Sequence, residues 1–145
     1  GPAISPASTE RLTGYREALR EAGRPEPRVA GSAYTYEGGA EAATQLCAEG
    51  PVDGIFCAND LCALGTIDAL RRAGRRVPED VRVIGYDDIP AAGWGGYDLT
   101  SFDQDVPALV EATLAMLGRM SATDAAAGER VLIPPRLTER GSTRA

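Results

Sequence analysis

The chain has no histidine and no lysine, and all fifteen of its basic residues are arginine. That removes at the outset a histidine-based triad, a histidine metal site and a Schiff-base lysine. Cysteine is scarce: Cys47, Cys57 and Cys62 make an odd set without the spacing of a disulfide framework. Cys57 falls in an apolar run and Cys62 in a helical stretch, where the thiol acts as a small buried apolar group. A reducing cytoplasm fits that usage best. No stretch reads as a signal peptide, no apolar run is long enough to span a bilayer, and there is no internal repeat. Neither a GxGxxG fingerprint nor a Gly-rich GK[ST] loop is present for a nucleotide. The net charge of −6 argues against this surface gripping nucleic acid, which needs a basic stripe. No metal, cofactor or membrane partner is expected.

What is present is enough for one domain. The 145 residues can bury a core, and 43% hydrophobic with 25% charged residues is the balance of a globular protein. The chain is organised around Asp53–Asp88. Val52–Cys57 is an apolar run too short for a helix. Asn59 and Asp60 open a helix with Leu61, Leu64, Ile67 and Leu70 at helical spacing, and Gly74 and Pro78 end it. Val81–Tyr86 is the next strand, closed by Asp87 and Asp88. A strand, helix and strand of this length form a right-handed parallel unit, and ligands bind outside the carboxyl ends of such strands. Asn59-Asp60 and Asp87-Asp88 stand at those ends.

The flanking elements repeat the pattern. Residues 8–22 predict a helix with Leu12, Tyr15, Leu19 and Ala22 on one face and Ser8 or Thr9 as cap. Arg28–Thr35 reads as a strand, residues 38–48 as an alanine-rich helix, and Ile89–Asp98 as a loop holding Trp94 and Tyr97. Leu99–Asp103 reads as extended. Residues 105–120 form the most amphipathic helix, with Val106, Leu109, Val110, Thr113, Leu117 and Met120 on one side. A linker over 121–129, a last strand at Val131–Ile133 and a polar tail from Leu137 complete the chain. Helices ending at Gly23, Gly50 and Gly74 before strands predict an α/β fold with a doubly wound parallel sheet. A helix opens this order where such a sheet would begin with a strand, so the chain reads as the carboxy-terminal fragment of a longer protein.

The pieces ERLTGYREAL, FCANDLCALGTIDALRRAG, RRVPEDVRVIGYDDIP, LTSFDQD and LTERGST, in that order, resemble the effector-sensing core of the lactose-repressor/galactose-repressor (LacI/GalR) transcriptional regulators. The resemblance runs from Gly1 to Arg144. It implies a half-domain of the type I periplasmic-binding-protein-like fold. Residues 1–101 would be the C-terminal effector-binding subdomain, with its first strand upstream. Residues 102–129 would be a crossover and a helix normally packed on the N-terminal subdomain, and 130–145 a return strand and tail. Without that subdomain, the apolar stripe of helix 105–120 would need another surface, such as a second copy.

On the residues alone, Asn59 is a helix cap or a ligand contact, and Asp87-Asp88 a turn or a carboxylate receiving hydroxyls. The resemblance assigns the ligand role to Asn59 and to Asp87, with Asp88 steadying the loop. It adds Arg11, whose fork suits adjacent hydroxyls or a carboxylate, Gln104, and Tyr34 as a stacking ring. Tyr36, two residues on and so on the same strand face, is the competing aromatic. It also places a homodimer surface on the helix after Asn59 and the following loop, here Leu64 and Trp94. The implied partner is a sugar or sugar-like metabolite, with DNA reached only through an upstream headpiece. The alternative is a periplasmic solute-binding protein of a sugar transporter, which shares the fold; LTERGST is typical of the regulators instead. Paired aspartates after a strand also suit a phospho-receiver, whose chemistry calls for a lysine that is missing. No acid is paired with a nucleophile or metal, so no catalytic residue is expected.

Overall fold

The computed structural model describes residues 1–2, 4–119 and 130–144. Helices α1 (Pro6–Glu21) and α2 (Tyr36–Ala48) come first. They are followed by β1 (Gly54–Phe56), α3 (Asp60–Arg72), β2 (Arg82–Tyr86), a single 3₁₀ turn at Pro90–Gly93, β3 (Thr100–Asp103), α4 (Val106–Arg119) and β4 (Arg136–Thr138). The sheet runs β1-β2-β3-β4; the first three strands are parallel and β4 is antiparallel to β3.

Alternation along the strands sends residues to two faces. Ile55, Val83, Gly85, Leu99 and Ser101 look toward α3, whose Ala63, Leu64, Ile67 and Leu70 form the core with Val81, Val83 and Leu99. On the other face Phe56, Phe102 and Tyr86 touch in series, and Tyr15 of α1 meets Phe56 with ring centroids 5.6 Å apart. Helices therefore address both faces, as the doubly wound reading requires.

α2 lies directly on α3, and the contact depends on two glycines. A Cβ on Gly65 would overlap the Tyr36 carbonyl, and one on Gly39 would overlap the backbone of Cys62. Helix backbones this close exclude any side chain at the crossing.

Several boundaries differ from those the sequence predicts. Ser5, not Ser8 or Thr9, caps α1 by accepting from the Ser8 N–H, with Pro6 at the first helical position. Tyr36 begins α2 behind the Thr35 cap. The strand expected at Arg28–Thr35 is absent: no ladder joins it to β1, which among the described residues pairs with β2 alone. Between Val29–Gly31 and the free edge of β1 lies a cavity of about 340 Å³, walled by Leu12, Tyr15, Ala43 and Ile55. The two extended segments stand apart across that gap, so neither can satisfy the other's backbone. The last strand is Arg136–Thr138 rather than Val131–Ile133, because Pro134 and Pro135 lack donors and the ladder starts only beyond them. α4 follows the expected span to Arg119, but it has no buried residue: Val110 is 51% and Leu114 63% exposed. Met120 and the 121–129 linker lie outside the described residues.

The helix crossing gives a direct test. Gly65→Ala is expected to cost about 2–3 kcal/mol by forcing the helices apart. Gly14→Ala, a site with open space around it on α1, should gain up to about 1 kcal/mol from helix propensity. Urea midpoints of the two variants, at unchanged slope, check both.

Candidate functional site

The carboxyl ends of the three parallel strands lie side by side, and each delivers a polar residue to the same edge. β1 leads through Ala58 into Asn59, which is extended (φ −155, ψ 175) and accepts the Cys62 N–H at 3.0 Å as the cap of α3. Its amide donates to the Tyr34 carbonyl at 3.4 Å. The Tyr34 hydroxyl is 2.9 Å from Ser5 Oγ, so Asn59, Tyr34 and the start of α1 form one corner. Asn59 acts as a cap whatever else it does.

Arg11 reaches over from α1. Its Nη1 donates to the Ala58 carbonyl at 2.9 Å, and the guanidinium lies 3.8 Å above the Tyr86 ring. This cation–π contact fixes the plane of the fork next to the end of β2. There Asp87 accepts from Gln104 Nε2, which β3 delivers. Burial pushes the Asp87 carboxyl above its usual value, against the opposing pull of the Gln104 bond and the Arg11 charge. Asp87 also has φ 122 and Asp88 φ 49, backbone angles that L-residues rarely adopt. Such strain persists only where surroundings enforce it, and it concentrates at ligand sites.

The enforcement comes from beneath. Asp60 has no exposed surface; one carboxylate oxygen accepts from Ser101 Oγ at 2.6 Å and the other from the Ile89 N–H at 2.9 Å. Asp88 is held by Thr138 and Arg140 and donates its N–H to Ser101 Oγ. Asp88 thus steadies the turn while Asp87 faces the edge.

Arg11, Asp87 and Gln104 therefore converge, with Asn59 and Tyr34 adjoining them. Tyr36 does not: it opens α2, and its hydroxyl donates to Asp68 at 2.7 Å. Period-two spacing would put both tyrosines on one face only in a strand, and this stretch is not one. Leu64 is a core residue, 5% exposed, whereas Leu61 of the same helix is 44% and Trp94 62% exposed. Sequence reasoning misses Ser5, although Ser-Pro is a helix-start signal, and Arg140, for which a polar tail gives no signal. Among the described residues no cluster of three or more acids or thiols could hold a metal. Cys57 is buried, its thiol pushed up to about 12 by that burial, which makes it inert.

Comparison with known proteins adds to this geometry. The profile of the periplasmic binding protein-like domain matches residues 1–143. The transcriptional regulator CelR of Thermobifida fusca is 45% identical over 107 residues, covering 72% of this chain and 32% of its own. The repressor CytR of Escherichia coli is 36% identical over 149 residues, 100% of this chain and 43% of its own. The chain belongs to the LacI/GalR family. Among solved LacI/GalR structures, a CelR–cellobiose complex matches with TM-score 0.87 and 34% identity, over 98% of this chain and 44% of that one. The lac repressor dimer bound to operator and the anti-inducer ONPF matches with TM-score 0.89 and 30% identity, over 100% and 51%. The chain thus spans less than half the length of the curated relatives CelR and CytR, which are transcriptional regulators rather than enzymes.

The buried Asp60 makes a pH prediction. Burial raises its pKa above 3.8, so the stability gained from its proton is fully present below that value. This gain is lost as pH rises through the folded-state pKa. Asn at this position cannot titrate. The urea midpoint of wild type should therefore gain on that of Asp60→Asn as pH falls from neutral toward 4.

Proposed function

We propose that this chain is the carboxy-terminal half of the effector-sensing domain of a LacI/GalR-type transcriptional regulator. A small polyhydroxylated molecule, a sugar or close analogue, binds at the edge formed by Arg11, Tyr34, Asn59, Asp87 and Gln104. The observation that carries this is the convergence of Arg11, Asp87 and Gln104 on one edge, with Asp87 in an enforced strained backbone. A carboxylate and a planar fork side by side can accept from and donate to vicinal hydroxyls. The cellobiose held by CelR is a ligand of that chemistry.

The remainder of the domain would complete the cleft. The cavity beside β1 is bounded by extended chain on both sides, with Gly1 at its mouth near Ala58. A strand entering from ahead of Gly1 would run parallel to β1 there and fill the gap. The exposed apolar face of α4 would pack on the amino-terminal subdomain, or on a second copy when that subdomain is absent. In this reading residues 1–101 would be the effector-binding subdomain, 102–129 the crossover to the amino-terminal subdomain, and 130–145 the return segment and tail. A homodimer would use α3 and the Trp94 loop, with Leu61 as the outward apolar residue and Leu64 supporting it from the core. DNA would be reached through a headpiece elsewhere in a cytoplasmic protein. A ligand with unequal affinity for two domain arrangements would then shift operator binding. The regulators among the relatives favour this over a transporter receptor.

Calorimetry of the full-length protein with cellobiose tests the site. Asp87→Asn is expected to weaken binding about tenfold or more, since charged acceptors make the stronger bonds. Only the ionised form accepts two hydroxyls, so wild-type affinity is full above the raised Asp87 pKa and falls as pH drops through it. The Asn variant should not titrate there. Undiminished binding by Asp87→Asn would remove Asp87 from the site.

A further inference from the structure

The 88–99 segment leaves the candidate site at Asp88, carries Trp94 outward, and returns to the sheet at Leu99. Both of its ends are held by one atom. Arg140 Nη1 donates to Asp88 Oδ1 at 2.7 Å and to the Leu99 carbonyl at 2.7 Å. The two side chains of the ion pair are 21% and 17% exposed, shielded enough for the pair to hold its geometry. Neighbouring tail residues add to the closure. Thr138 donates to the other Asp88 oxygen at 3.1 Å. The Gly141 N–H donates to the Asp98 carboxylate, and the Ser142 N–H to the Asp98 carbonyl, both at 2.9 Å. A side chain at Gly141 would overlap that carboxylate, so the tail lies flush on the loop. Behind it, Ser142 Oγ donates to the Val83 carbonyl and accepts from the Thr100 N–H, which fixes the tail to β2 and β3.

We propose that Arg140 is a positioning residue: it closes the base of the 88–99 loop so that the setting of Asp87 and the position of the Trp94 loop change together. Asp87 and Asp88 are adjacent strained residues, so the torsions that aim the Asp87 carboxylate also place the Asp88 carboxylate that Arg140 holds. A ligand that shifts the Asp87 backbone must either move the clasped loop or break the clasp. The C-terminal tail thereby becomes the link between the ligand edge and the exposed Trp94 surface. The coupling rests on Asp87 as an effector contact; the clasp itself does not.

Hydrogen exchange of the full-length protein, read on peptides covering 88–99, separates the two. Without ligand, Arg140→Gln is expected to speed exchange there about tenfold or more while α3 peptides stay unchanged. Arg140→Lys should recover most of the protection, because a single nitrogen makes both bonds and an ammonium can occupy its place. Cellobiose should then alter exchange of 88–99 in wild type and Arg140→Lys, and leave it unaltered in Arg140→Gln at saturation. Equal ligand-free exchange in wild type and Arg140→Gln overturns the clasp. A cellobiose response that survives Arg140→Gln overturns the coupling. If Arg140→Gln unfolds the chain, Asp88→Asn is the milder break, expected to give about a threefold change confined to the same peptides; no change there overturns the clasp equally. Failure of wild type to bind cellobiose would count against the effector reading, with the ligand-free comparison still deciding the clasp.

Discussion

Asp60 is a carboxylate with no exposed surface, and the ends of three elements meet at its two oxygens. It stands at the first turn of α3, accepts from Ser101 on β3 and from Ile89 just beyond β2. A Cβ on Gly85 would overlap it, so β2 passes as close as a chain can. Burying a carboxylate is costly unless its acceptor sites are filled, and here each oxygen has a donor. Because one donor lies on β3 and the other on the turn that follows β2, these two segments cannot drift apart without leaving a buried charge unpaired. The spacing of Asn59, Asp87 and Gln104 along the carboxyl edge of the sheet follows from this.

Hydrophobic burial accounts for only part of the fold. The apolar core lies between α3 and one sheet face, and α2 closes over it through Gly39 and Gly65. The C-terminal tail joins the structure by hydrogen bonds. Ser142 is 2% exposed and bridges β2 and β3, and the Thr100 hydroxyl meets the backbone of Arg140 on both sides. The opposite sheet face, with its aromatic series, is covered only in part by α1. α4 presents its apolar residues outward.

The parts of this arrangement written in local patterns are legible in the sequence. The β1–α3–β2 unit shows in its periodicity, its Asn59 cap and Gly74. The rule that ligands sit at the carboxyl edge of a parallel sheet then points to the pairs Asn59-Asp60 and Asp87-Asp88; only the resemblance chooses Asn59 and Asp87 among them and adds Arg11, Tyr34 and Gln104. What is not legible depends on partners distant in sequence. Residues 28–35 have strand composition, yet a strand needs a neighbour, and a cavity stands where it would be. Arg136–Thr138 pairs with β3 despite a composition that reads as tail. Leu64 sits at the same helical spacing as Leu61, and only the packed structure shows that Leu64 joins the core while Leu61 is exposed. Arg140 and Ser142 contribute to the resemblance through LTERGST, but their bonding roles are not legible, because polar residues fixed by hydrogen bonds look like solvated ones.

Two observations bear on how such a site could switch. The strained Asp87-Asp88 turn has little slack, and the loop beyond it carries an exposed tryptophan, Trp94, before returning to the sheet at Leu99. A ligand seated on Asp87 would therefore act on a segment fixed at both ends, the kind of constraint that converts a small local shift into a change of surface. Whether a ligand sits on this edge is read from a structure of the full-length protein with cellobiose bound. Adjacent ring hydroxyls are expected within hydrogen-bonding distance of both the Asp87 carboxylate and the Arg11 guanidinium. A sugar bound elsewhere, with Asp87 still meeting only Gln104, would contradict that expectation.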